Sequence, residues 1–172
     1  MPHSSFTEKD SRELLRLLAK LKEDKGYLRT EEEFRAVCNV FTLWATELVI
    51  TREAAGGRST EILLARYVGG IQEFLGLWHI PGGYGKWDHR DIQATCSAVA
   101  ARELGTDVKY VRTIDSYKWQ PSEHPYSSPL SVFVGCEAAG NIAETQDLRF
   151  FPCDKLPSDM VEPHRQFIRK NF

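Results

Sequence analysis

The sequence predicts a single domain of class α/β, built as an α/β/α sandwich around a mixed β-sheet. Three observations carry that prediction. Helical stripes of apolar residues lie near both ends and in the middle of the chain, runs of β-branched and aromatic residues lie between them, and glycines or prolines punctuate the joints. With 172 residues, 42% of them hydrophobic, the chain can bury one core of its own.

The first helix is predicted from Ser11, a capping residue, through Leu14, Leu17, Leu18 and Leu21, which recur at spacings of three and four; it should end near Lys25 and Gly26. Thr30 and Glu33 have the form of a capping box, so a short second helix should reach Asn39. Residues 1–39 are therefore expected to be a helical extension packed on a domain formed by residues 40–172. Phe41 to Thr51 and Glu61 to Tyr67 read as strands joined by the polar loop Arg52 to Thr60. Gly69, Gly70 and Gly76 then break the chain before a short strand, Leu77 to Ile80. Asp91 can cap a helix that stops at Gly105, because glycine accepts the left-handed backbone that ends helices. Tyr110 to Trp119, Pro129 to Ala138 and Leu148 to Phe151 complete the strands. Ser158 to Lys170 is helical in composition, with Pro163 demanding a late start or a kink.

The 22 basic and 24 acidic residues are intermixed and leave a net charge of -2, so there is no basic stripe for a nucleic-acid backbone and no polybasic membrane patch. The expected partner is a small molecule, with no nucleic acid and no membrane; monomer and homodimer stay open. Cys38, Cys96, Cys136 and Cys153 show no Cys-x-x-Cys pair and no metal-type spacing, and read as reduced, mostly buried thiols. No segment approaches the roughly 18 consecutive apolar residues of a membrane span, and the cytoplasm is the expected compartment.

The chemistry concentrates between Trp78 and Gly105. Adjacent glycines after a strand permit a tight turn with exposed carbonyl oxygens, followed by a helix. Gly85-Lys86 invites a phosphate-binding P-loop, but the first glycine position holds Ile80 and the hydroxyl position holds Trp87; a dinucleotide fingerprint fails because its third glycine is Asp88. On a helical wheel of about 100° per residue, Ile92, Cys96, Val99 and Glu103 share one stripe, so the helix turns its one internal carboxylate inward. An inward carboxylate in a last helical turn needs a cation, either an arginine such as Arg66 or Arg112 or a metal.

Trp78-His79-Ile80-Pro81-Gly82-Gly83, followed by a helix ending Arg102-Glu103-Leu104-Gly105, resembles the Nudix box. Ile62 to Arg66 and Glu144 to Phe151 resemble the strands that flank it in the Nudix hydrolases, and the likeness covers roughly residues 40 to 170. In that family the loop and helix hold a divalent metal beside a diphosphate. Here the family's earlier Arg-Glu pair falls on Ala98 and Val99, the first glutamate of its later pair falls on Arg102, and only Glu103 is kept. The pattern resembles the single-metal arrangement of the GDP-mannose mannosyl hydrolases. Carried across, it implies Mg²⁺ or Mn²⁺ on the Gly82 carbonyl, Glu103 and Glu144, with Gln146 or Asp147 as alternatives to Glu144.

The implied function is divalent-metal-dependent hydrolysis of a nucleoside diphosphate linked to another group, such as a nucleotide sugar; the alternative is an impaired Nudix-fold nucleotide-binding or regulatory module. Glu103 and His124 are the candidate catalytic residues, His124 as a general base, with His89 as its rival or as a loop-packing group. Arg66 is a candidate phosphate contact, Tyr84 a residue at the mouth of the site, and Trp87, Trp119 and Tyr126 are candidate stacking faces or core.

Overall fold

The computed structural model describes residues 7–23, 30, 32–33, 36–37, 43–57, 59–86, 88–125 and 128–172. Helix α1 spans Glu8–Glu23. It starts a turn earlier than Ser11 because Thr7 and Asp10 cap it reciprocally: the Asp10 amide donates to Thr7 Oγ1 (3.2 Å) and the Thr7 amide to Asp10 Oδ2 (2.8 Å). The expected second capping box also forms, with Thr30 N donating to Glu33 Oε2 (3.0 Å) and Glu33 N to Thr30 Oγ1 (3.1 Å). Residues 32–33 and 36–37 are helical; Cys38 and Asn39 lie outside the described residues, as do Trp87 and Tyr126.

Strand β1 is Trp44–Val49 and β2 is Thr51–Glu53, which pairs antiparallel with β3, Thr60–Arg66. The predicted first strand is thus divided at Ile50, and the loop before β3 is shorter than expected. Strand β4 is Trp78–His79 and β5 is Gly82–Tyr84. Helix α2 is Ile92–Glu103; Asp91 caps it by accepting from Ala94 N (2.8 Å), and Gly105, at φ +64°, takes the chain out of it. Strands β6, Val108–Lys118, β7, Leu130–Ala138, and β8, Leu148–Pro152, follow. Helix α3 is Glu162–Asn171, and Pro163 sits in its first turn, where the missing N–H costs nothing.

The expected mixed sheet is realised as two four-stranded sheets. One has the order β5-β1-β7-β6 and is mixed, since β1 and β7 run parallel while the other pairs are antiparallel. The other is antiparallel, with β2, β4 and β8 all paired to β3. Side-chain alternation along β3 divides the interior: Leu63 packs with Leu48, Val99 and Val134 beneath α2, whereas Ile62 and Leu64 pack with Trp78, Phe133 and Phe167 beneath α3. Phe133 and Phe167 stack at 3.8 Å between ring centres. A strand buried on both faces, with a helix beyond each, is the layered α/β/α arrangement. Among the described residues no helix is long and apolar enough to cross a membrane.

Candidate active site

The functional region is built where β1 meets β5, with the register Glu47↔Gly82, Thr46↔Gly83 and Ala45↔Tyr84. The glycines read as a turn are in fact a short strand. Their lack of a side chain serves close approach: a Cβ on Gly82 would collide with the Glu47 carboxylate, and one on Gly83 with the Arg102 guanidinium.

Here a cavity of about 1240 Å³ opens, lined by Glu47, Gly82, Tyr84, Arg102, Glu103, Trp119, His124, Ser131 and His164, with Arg66 and Asp147 also on its wall. Leu18, Leu21 and Val37, from the N-terminal segment, line it too.

The polar floor is a chain of hydrogen bonds. Trp119 Nε1 donates to Ser131 Oγ (2.9 Å), and Ser131 Oγ donates to Glu47 Oε1 (2.8 Å). Burial raises the Glu47 carboxyl to about 7, against the pull of the Ser131 hydroxyl and with a smaller push from the Glu103 charge. His164 stands 3.9 Å from the same oxygen. Its Nδ1 accepts from Ile80 N (3.1 Å), so Nε2 carries the hydrogen, and it is buried with no hydrogen-bond partner among the described residues. Burial, with the nearby His79, holds His164 well below the usual imidazole range; burial likewise takes His79 down to about 4. The pair is therefore a neutral imidazole facing a carboxyl group.

Glu103 is aimed as its helical stripe requires, with its side chain 20% exposed, and its cation is Arg102. Arg102 Nε donates to Glu103 Oε1 (2.7 Å) and Arg102 Nη2 to the Gly82 carbonyl (2.9 Å). One guanidinium thus spans the two atoms expected to share a metal ion. Arg66 does not serve Glu103; it pairs with Asp159 and the Gly76 carbonyl and lies 4.4 Å over the Trp78 ring. Arg112 stands exposed on β6.

The expected ligand trio is not assembled. Glu144 lies outside the cavity lining, where Arg52 Nη2 donates to it (2.9 Å) and Phe150 N caps it (3.2 Å). Its loop turns Thr145 and Asp147 toward the cavity instead. Among the described residues no group of three His, Cys, Asp or Glu side chains could hold a metal. With Gly82 O and Glu103 bridged by Arg102 and Glu144 bound by Arg52, the trio as arranged does not hold a divalent ion, while Asp147, the alternative third ligand, lines the cavity.

His124 is 5% exposed and contacts Tyr84, with Tyr84 Oη and His124 Nε2 at 3.2 Å. Its ring meets those of Phe74 and Trp119 edge-on, and burial lowers it to about 4. It is a neutral member of an aromatic wall. His89 takes the loop-packing role, its Nδ1 lying 3.0 Å from Thr95 Oγ1 at the start of α2.

Glu47, Ser131 and His164 were not singled out in the sequence. The available signal was Glu47 itself, the one charge in the run Leu43 to Ile50.

No family model matches the chain, and no curated protein sequence matches it. Solved structures do. An ADP-ribose pyrophosphatase from Streptococcus suis is 22% identical, with a TM-score of 0.51 over 76% of this chain and 91% of that one. The Nudix domain of Shewanella oneidensis NrtR, solved with ADP ribose, is 20% identical, with a TM-score of 0.58 over 82% and 96%. A UDP-X diphosphatase is 20% identical, with a TM-score of 0.57 over 96% and 84%. The fold of this chain is the Nudix fold, as the resemblance implies.

Proposed function

We propose that the chain takes a nucleoside diphosphate joined to a second group, such as a nucleotide sugar, into this cavity and hydrolyses the diphosphate. The observation that supports it most is the convergence of Arg102, Glu47, Glu103 and the glycine strand in a cavity roomy enough for such a molecule. Arg102 supplies positive charge for phosphate oxygens, Arg66 lines the same cavity from β3, and Tyr84, Trp119 and His124 offer aromatic faces to a base or sugar. Glu47, ionising near neutrality on the cavity floor, meets the demand on a general base better than His124, which stays neutral and weakly basic. The neighbours described as an ADP-ribose pyrophosphatase and a UDP-X diphosphatase act, by those descriptions, on the same bond class. The extension proposed for residues 1–39 has Leu18, Leu21 and Val37 at the cavity edge while Leu14, Leu17 and Leu18 stay exposed, and the free thiols Cys96, Cys136 and Cys153 accord with the cytoplasm.

The test is a ³¹P NMR assay of ADP-ribose, UDP-glucose and GDP-mannose with Mg²⁺ or Mn²⁺, the ions the resemblance implies, and with EDTA. Release of a nucleoside monophosphate is expected, with Glu47→Gln slower by about 100-fold or more. A second reading, a nucleotide-binding module without turnover, is favoured by the Arg102 bridge across Gly82 and Glu103. Tight binding of any of these compounds without product selects that module; neither binding nor product would remove both readings.

A further inference from the structure

We propose that Arg102 is the built-in cation of this cavity, so that a diphosphate is held through a guanidinium and does not require a divalent ion. The inference rests on the reading that the cavity takes a diphosphate. Its own basis is the geometry at the end of α2. Arg102 Nε is 2.7 Å from Glu103 Oε1 and Arg102 Nη2 is 2.9 Å from the Gly82 carbonyl, so both oxygens that would ligate an ion already coordinate one cation. The absence of a side chain on Gly83 gives the guanidinium its space, since a Cβ there would collide with Nη2.

Arg102 sits beside Glu103, while the other cavity-floor carboxyl, Glu47, is buried and bonded to Ser131. Two guanidinium N–H groups are used in the bridge, and the others remain for a ligand; a planar fork matches phosphate oxygens two at a time. The side chain is 53% exposed, so an incoming anion can reach it without displacing it from Glu103. Arg102 also stands at the position where the Nudix pattern has a glutamate, which makes one substitution informative in both directions.

The experiment titrates the full chain with inorganic pyrophosphate and with ADP-ribose by calorimetry, in EDTA and then in Mg²⁺. A parallel Mn²⁺ titration without ligand is read by electron paramagnetic resonance. Wild type is expected to bind pyrophosphate in EDTA with an affinity that Mg²⁺ changes by less than about threefold, and to leave Mn²⁺ free at sub-millimolar concentration. Arg102→Gln should weaken pyrophosphate in EDTA by at least about tenfold, and Arg102→Lys should fall between, having the charge without the fork. Arg102→Glu should lose the anion in EDTA and gain Mn²⁺. Circular dichroism of each variant confirms that it is folded. Binding by wild type only with Mg²⁺, or sub-millimolar Mn²⁺ binding by wild type, overturns the role of Arg102 and leaves the diphosphate reading standing. Pyrophosphate and ADP-ribose binding under neither condition overturns that reading, and this inference with it.

Discussion

Glu47 is 5% exposed, and its environment favours the protonated form. Its carboxyl ionises at about 7 in the folded chain against an ordinary value of 4.5, so the folded state holds a proton that the unfolded state has released across that window. The stability associated with this group is therefore complete below about pH 4.5 and falls as pH rises to 7. At roughly 1.4 kcal/mol per unit, the loss comes to ~3 kcal/mol. Glutamine keeps the acceptor for Ser131 and carries no charge, so Glu47→Gln should gain on wild type by up to ~3 kcal/mol between pH 5 and 8. Urea unfolding of both proteins across that range checks it, and a pH-independent difference would show that Glu47 ionises normally. The sequence marked Glu47 only as a charge in an apolar strand. Its role became legible once β1 proved buried from Ala45 to Val49, leaving no solvated face for a carboxylate.

The elements were more legible than the residues. Helix α2 was bounded correctly from Asp91 and Gly105 because a cap and a left-handed exit are local chemistry, and its stripe placed Cys96 and Val99 in the core. Strand β5 was not legible. Gly82-Gly83 suggests a turn, and only the pairing with β1, more than thirty residues upstream, makes it a strand. Glu144 behaves similarly: the resemblance fixes its place along the chain before β8, whereas Arg52 on β2 decides which way it faces. The two β5 glycines should differ in tolerance. A Cβ on Gly82 meets the buried Glu47 carboxylate and comes within 3.0 Å of the Thr46 carbonyl, so it must move backbone; a Cβ on Gly83 meets only the mobile end of Arg102. Gly82→Ala is expected to cost about 1–3 kcal/mol, and Gly83→Ala less than about 1 kcal/mol while disturbing anion binding. Thermal melts of the pair decide it, and equal costs would mean that the β1–β5 approach is looser than its register implies.

At the scale of the whole molecule, three imidazoles among the described residues are buried neutral and one carboxyl is buried protonated, and these set the acid response together. His79 and His124 are lowered to about 4 and His164 well below the ordinary 6.5, so in the window between, the unfolded chain binds protons that the folded chain refuses. Stability carried by these groups is present above pH 6.5 and is lost as pH falls toward 4. Glu47 runs the other way, gaining stability over nearly the same interval. Three protons taken up on unfolding against one released leaves a net uptake of about two near pH 5, and a slope of roughly 2.7 kcal/mol per pH unit. Surface carboxylates such as Asp115 and Asp159, which Lys170 and Arg66 hold below their ordinary range, titrate lower and leave this interval undisturbed. Since a domain of this size is stabilised by only about 5–15 kcal/mol, a slope that builds to this size below pH 6 removes a substantial share of its stability by pH 5. Denaturant unfolding at half-unit steps from pH 4.5 to 8 reads the slope directly. Glu47→Gln removes the opposing proton and should steepen it toward three protons, so a wild-type slope near zero, or one that the substitution leaves unchanged, would mean that the imidazoles are not held neutral by the fold.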